Sequence, residues 1–314
     1  MGQDEIRARI RRAKKADKVM TIVFYAMGLF SLLFIVALSA YIIIKGLLSH
    51  FPGMVSFSNE GIGNQIFNSF YIVFLSLLVS APLGILAGIY MAEYSKEGKF
   101  SRFIRICIES LSSLPSIVVG LFGYLIFILM IGFRWNLLAG AMAISILTLP
   151  LITTTTEDAL RSLPRVYKEG SIALGATHWE TIVKVLLPAA SSRIVTGLIL
   201  AAGRGFGETA ALLYTAGQST VINWSNWDIT SVTCPLNPFR PGETLALHIW
   251  AMRTEGSLNP QATEIANFSA AILVIAVLIF SLTARYMSRR FDEKKKGSAK
   301  EKKRAGSKRA GNKK

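Results

Sequence analysis

Arg204 and Glu208 stand four residues apart inside an otherwise apolar stretch, Ile194 to Ala216. A guanidinium deep in a membrane helix costs about 2.5–3.5 kcal/mol on insertion scales. A chain keeps such a charge where it faces a partner, a water-filled cavity or a substrate. Arginine offers a planar fork of donors that fits an oxyanion in bidentate fashion. On a continuous helix, a spacing of four also puts Glu208 on the same face, close enough to pair. Two readings stay open. The pair is a structural ion pair that fixes helix packing, or Arg204 meets an anion while Glu208 holds the guanidinium and releases it as substrate passes. Gly203, Gly205 and Gly207 leave the backbone bare around it, which lets another helix approach or this one bend.

The elements that position this pair are membrane helices. The chain has 314 residues, 52% of them hydrophobic, and its apolar runs repeatedly reach the length of a span. Six spans are expected, at about 19–44, 66–92, 104–131, 137–156, 192–216 and 268–287. The fourth is the weakest, because Pro150 and the threonines Thr153 to Thr156 dilute its end. The fold class is therefore all-α and integral to the membrane. A basic segment 1–18 precedes a first helix and outer loop, 19–65; the main transmembrane region is 66–287, and a basic tail is 288–314. The first apolar run is too long for a signal peptide and is expected to stay as an anchor.

A net charge of +16 raises nucleic acid as a partner, but its placement argues for a membrane. Basic residues crowd residues 1–18, the region from Arg285 onward, the 93–106 loop (Lys96, Lys99, Arg102, Arg105) and the 157–190 loop (Arg161, Arg165, Lys168, Lys184). Those four segments hold 29 of them, against 4 in the alternate loops (Lys45, Arg134, Arg240, Arg253). The positive-inside rule then places both termini and the two loops in the cytoplasm. The tail, with no interleaved aromatics, reads as disordered chain near anionic headgroups.

Several chemistries are excluded. There is no Gly-x-x-x-x-Gly-Lys-Ser/Thr phosphate loop, Gly-x-Ser-x-Gly elbow or His-Glu-x-x-His pair in the sequence. The three histidines, His50, His178 and His248, are scattered and form no metal-ligand cluster. Cys107 and Cys234 are expected on opposite sides of the membrane, which argues against a disulfide. No catalytic residue, metal site or resident cofactor is expected. Energy for active transport must then come from a partner or an ion gradient.

The 157–190 loop is the most informative cytoplasmic segment. Pro164 stops one helix. Glu169 to Ala173 reads as a short helix ending at Gly175, a favoured C-cap residue. A second amphipathic helix runs from about His178 to Leu187 before Pro188 leads into the fifth span. The two make a knob that another protein can grip. This pattern resembles the cytoplasmic loop of ATP-binding-cassette importer permeases, Glu-Ala-Ala-x3-Gly-x9-Ile-x-Leu-Pro. Glu169, Gly175, Leu187 and Pro188 fall on that spacing, while Val185 replaces the isoleucine and Gly170 and Ser171 replace the alanines. By that resemblance, Glu169, Gly170, Ala173, Gly175, Leu187 and Pro188 couple the chain to an ATPase, which itself binds ATP and Mg, and the fold is that of a type I importer permease with six transmembrane helices.

Gly203-Arg204-Gly205-Phe206-Gly207-Glu208-Thr209-Ala210 is similar to the Arg-x-x-Gly-Glu-Thr-Ala segment of the phosphate-uptake branch. Leu114 to Phe122 and Thr244 to Trp250 also resemble that branch, and Thr209 to Thr215 favours the PstA family of permease subunits over PstC. The resemblance implies a substrate path at Arg204, Glu208 and Thr209, and import of inorganic phosphate by alternating access. It implies as partners a PstC-like permease, two PstB-like ATPase subunits and a PstS-like phosphate-binding protein. Sulfate or molybdate as the transported oxyanion, or an ATPase-independent channel, are the alternatives. Ser110, Ser112, Ser113 and Ser116 around Pro115 line the path or serve helix packing. Trp224, Trp227 and Trp250 are expected as interfacial anchors in a long outer loop, 217–267.

Overall fold

The computed structural model describes residues 3–311 except 51, 59–60, 96–97, 220 and 257–258; side chains of 3–8, 11, 289 and 291–311 are not described. Lys96 and most of the basic tail's side chains fall outside the described residues, but the tail's backbone is helical to Gly311 as a continuation of the last helix, where disordered chain was expected. Every regular element described is helical: α1 (Gln3–Leu48), α2 (Gly63–Ile89), α3 (Lys99–Ser113), α4 (Ser116–Gly123), α5 (Leu137–Arg161), α6 (Val166–Ala173), α7 (His178–Thr181), α8 (Leu187–Phe206), α9 (Ala210–Thr215), α10 (Leu245–Thr254) and α11 (Ala262–Gly311). Wider π-helical turns extend α2 to Tyr94 and α4 to Met130, and join α7 to α8.

Among the described residues, five helices are long and apolar enough to cross a membrane, or six if one bent pair counts as a single span. That pair corrects the third expected span. Residues 104–131 do not form one rod, because Lys99–Ser113 and Ser116–Met130 meet at 99°. Leu114 and Pro115 are extended at the joint. Proline bars its predecessor from the helical region, so the rod turns there. The fifth expected span, 192–216, is also broken, at Gly207–Thr209 between α8 and α9.

The helix that looked weakest in sequence is central. α5 packs against α2, α4, α8 and α9. Its hydroxyls bond back to carbonyls four residues earlier: Thr153 to Leu149 at 2.9 Å, Thr154 to Pro150 at 3.0 Å and Thr155 to Leu151 at 2.7 Å. A helix surrounded by protein has no need of a lipid-like surface, and self-satisfied threonines cost little there. On α2, Gly84 and Gly88 give the four-residue spacing of small residues that lets helices close up. A Cβ on Gly88 would lie 2.6 Å from the Thr156 Cβ, and one on Gly84 2.8 Å from the Ile152 Cβ.

Two buried clusters sit at opposite ends of this core. One gathers Ile72, Val73, Leu137, Ile144, Phe206 and Leu212. The other gathers Ile89, Leu160, Ile182, Leu186 and Ile194. By contrast α1 touches the rest chiefly along α11, where its Gly46 abuts Asn267 and Ala271. Cys107 and Cys234 are both free, in line with the expectation of no disulfide.

Candidate functional site

α8 ends at Phe206, with Gly207 as its C-cap. Gly207 donates to the Arg204 carbonyl at 3.2 Å and Glu208 to the Gly205 carbonyl at 3.3 Å, closing tight turns before α9 starts. Arg204 lies in the last turn of α8, where the negative end of the helix dipole favours a cation. Its side chain is exposed, and no atom lies within 4 Å of the Cβ position on neighbouring Gly203. The opposite side of the helix is packed: Ala201, Ala202, Gly205 and Phe206 are buried.

The expected Arg204–Glu208 ion pair is absent among the described residues. The break at Gly207 is the reason, since spacing of four aligns side chains only along an unbroken helix. Glu208 is buried, and its carboxylate accepts from the Ala211 backbone N–H at 3.2 Å, at the start of α9. Thr209 is half-buried at the N-cap position and makes no side-chain capping bond. Glu208 thus braces α9, and Arg204 is left open. Broken membrane helices leave backbone polar groups to be satisfied by neighbouring protein or by a water-filled cavity, which is why they mark substrate paths in transporters.

α4 closes one side of this break. A Cβ on Gly120 would lie 2.7 Å from the Ala211 Cα. The two half-helices that follow the Pro115 and Gly207 breaks therefore touch backbone to backbone. Ser112 and Ser113 are exposed, and Ser116 is half-buried at the start of α4.

The knob has the glycine break that the loop pattern suggests, but its second helix does not end at Leu187: it runs on through Pro188 to Phe206. Gly175 has φ +85°, a left-handed value suited to glycine. Ala176 N–H donates to the Ser171 carbonyl at 3.2 Å and Gly175 N–H to Ile172 at 2.9 Å, so α6 ends in a Schellman motif. Thr177 and Glu180 then form a capping box that starts α7. Ser171 and Thr181 hydroxyls meet at 3.0 Å and hold the two helices together. Glu169, Gly170, Ala173 and Gly175 are exposed on this knob. Pro188 is exposed and Leu187 half-buried, but both belong to the base of α8, where Leu187 packs on the Ile182–Leu186 cluster. Leu174 is 91% exposed and Val166 74%. With Ile172 and Trp179 they present apolar surface that an isolated subunit leaves uncovered.

Three ionic features were not legible in the sequence. Glu93, at the end of α2, accepts from Lys168 of α6 at 2.6 Å and lies 3.8 Å from His178 of α7. The Tyr94 ring meets His178 edge-on at 5.0 Å. Glu157, buried in α5, pairs with Arg105 at 2.8 Å and Arg161 at 2.9 Å. Far from the knob, Arg240 is fully buried, donating to Asn68 Oδ1 at 2.5 Å and to the Pro235 carbonyl at 3.2 Å. Burial lowers its pKa to about 10, which leaves it cationic at neutral pH. Beside it Glu243 pairs with His248 at 2.8 Å, and the buried bonds of Arg240 make it a structural lock between the 217–244 segment and α2. Of the three loop tryptophans, Trp224 donates to Asn64 at 3.0 Å and Trp250 packs on the core; Trp227 is exposed.

A family model described as binding-protein-dependent transport system inner membrane component matches residues 84–297. The chain belongs to that permease family. The permease is 46% identical to the probable ABC transporter permease protein YqgI of Bacillus subtilis (strain 168), covering 90% of this chain and 98% of the relative. It is 35% identical to the phosphate transport system permease protein PstA of Xylella fastidiosa (strain 9a5c), covering 73% of this chain and 75% of the relative. A crystal structure of a bacterial ABC transporter involved in the import of the acidic polysaccharide alginate has the same fold, with TM-score 0.59 at 16% identity, covering 90% of this chain and 99% of that one. The permease is thus a membrane-embedded, all-α subunit of an ABC importer, with the type I permease fold expected of it.

Proposed function

We propose that this permease imports inorganic phosphate in partnership with a PstC-like permease, two PstB-like ATPase subunits and a PstS-like binding protein. The observation that carries the reading is Arg204, exposed at the end of α8 beside the Gly207–Thr209 break and with no ion pair among the described residues. An oxyanion with two charged oxygens matches its donor fork. Relatives described as phosphate transport permeases support phosphate as the anion. Sulfate or molybdate remains the alternative, because the description of the 46% identical relative specifies no substrate.

Coupling follows from continuity. His178–Phe206 is one helix of 29 residues, about 43 Å at 1.5 Å per residue. It joins the knob directly to the Gly207 break. The ATPase pair, which holds ATP and Mg, grips the knob from the cytoplasm, where both termini also lie. Closure of the pair tilts the rod, and the Lys168–Glu93 bridge carries α2 with it. The path around Arg204 then opens alternately to each side. This chain breaks no bonds. The test is ATP-dependent uptake of labelled phosphate by proteoliposomes holding the four-component complex. Phosphate-selective uptake supports the reading; competition by sulfate or molybdate at equal concentration moves the substrate, and uptake without ATPase subunits overturns the importer mechanism.

A further inference from the structure

We propose that α3 is an in-plane membrane-surface helix that binds anionic phospholipid headgroups. It goes beyond the transport reading and does not depend on which ion is carried. At 100° per residue, Phe100, Phe103, Ile104, Cys107 and Leu111 fall within an arc of about 100°. Lys99, Arg102, Arg105, Glu109 and Ser113 occupy the other side, with Ile106 the one large apolar residue among them. A helix with a basic face and a phenylalanine-bearing face lies at the boundary between headgroups and acyl chains.

Three observations fit that occupant. First, α3 stands at 99° to the following Ser116–Met130 helix, so it runs nearly perpendicular to the segment packed into the bundle. Second, Phe100 is 64% and Phe103 62% exposed, Phe100 meeting only the edge of the Tyr90 ring among the described aromatics, while Ile104, Cys107 and Leu111 are half-buried, so the two phenylalanines hold the uncovered end of the apolar face. Third, Lys99 and Arg102 form no ion pair among the described residues and are exposed, whereas Arg105 is tied to Glu157 and Ile108 is buried against the bundle. The helix therefore has three sides: a seam of Ile108 and Arg105 on the protein, an apolar strip for acyl chains, and a free basic pair for phosphate oxygens. Complementary charge selects anionic lipid over a neutral surface.

The test uses the whole complex in bilayers with and without anionic phospholipid. A nitroxide is attached through Phe103→Cys in a Cys107→Ala/Cys234→Ala chain that retains uptake; a second label sits on the native Cys107 of a Cys234→Ala chain. Both labels should be relaxed more by oxygen, which partitions into lipid, than by a water-soluble nickel chelate. A label through Glu109→Cys should show the reverse. Enrichment of anionic lipid around position 103 should fall about fivefold for each of Lys99→Gln and Arg102→Gln. Preferential relaxation of position 103 by the chelate overturns the proposal. So does shielding from both agents, which marks a protein occupant such as an ATPase or partner permease, and so does enrichment unchanged in the double variant.

Discussion

The Glu208 carboxylate accepts a hydrogen bond from the Ala211 backbone N–H at 3.2 Å, and so it faces α9 rather than Arg204. The acid braces one side of the helix break and the base is free on the other. That division of labour separates two roles that the sequence presents as one pair. Glu208→Gln keeps an acceptor for Ala211 and should retain assembly and much of the uptake. Glu208→Ala removes it, leaving the start of α9 unsatisfied at a cost of about 1–3 kcal/mol. Thermal midpoints and uptake of the two variants check this; equal loss in both would assign Glu208 a charge-dependent role instead.

Gly88→Val should destabilise the bundle. Its Cβ would lie 2.6 Å from Thr156, in a core with no slack, and overpacking of this kind costs about 1–3 kcal/mol. Gly170→Ala, inside α6 on the exposed knob with open space around it, should keep the thermal midpoint or raise it slightly, since alanine is the better helix former. A matched pair of melting curves separates close packing from general intolerance of glycine replacement.

Glu93→Gln should uncouple rather than detach. The variant loses the ionic part of the bridge to Lys168 and His178 but leaves the exposed knob intact. ATPase co-purification should persist, while uptake per ATP hydrolysed falls severalfold. Glu169→Lys, on the exposed knob, should instead reduce ATPase binding. A Glu93→Gln complex with normal coupling would remove the bridge from the account.

Arg240→Met should lower the thermal midpoint without changing the preference for phosphate. The substitution leaves Asn68 Oδ1 and the Pro235 carbonyl without their buried donor, a loss of about 1–3 kcal/mol. A changed selectivity between phosphate and sulfate would place Arg240 on the path.

Much of this architecture was legible in the sequence. Apolar run length gave the helices, and the spacing of Glu169, Gly175, Leu187 and Pro188 gave the knob with its left-handed glycine. Continuity was harder to read. Pro115 and Gly207 sit in runs apolar enough to pass as spans, yet both break the helix, because hydropathy measures lipid affinity and not backbone geometry. Thr153 to Thr156 misled in the other direction: a span covered by protein owes nothing to lipid. The Glu93–Lys168, Glu157–Arg105 and Arg240–Asn68 contacts join residues far apart in the chain, and no local pattern announces them. Arg204 was visible as a charge in an apolar run and the three glycines allowed a bend, but that the helix breaks at Gly207 and parts Arg204 from Glu208 is seen only in the three-dimensional arrangement.

The most direct measurement is labelled-phosphate uptake by proteoliposomes holding the four-component complex, with the wild-type chain or Arg204→Gln, alongside the ATPase rate of each. The account predicts that Arg204→Gln assembles, keeps its ATPase and loses phosphate uptake. Uptake by Arg204→Gln at the wild-type rate would contradict it and move the anion site away from the end of α8.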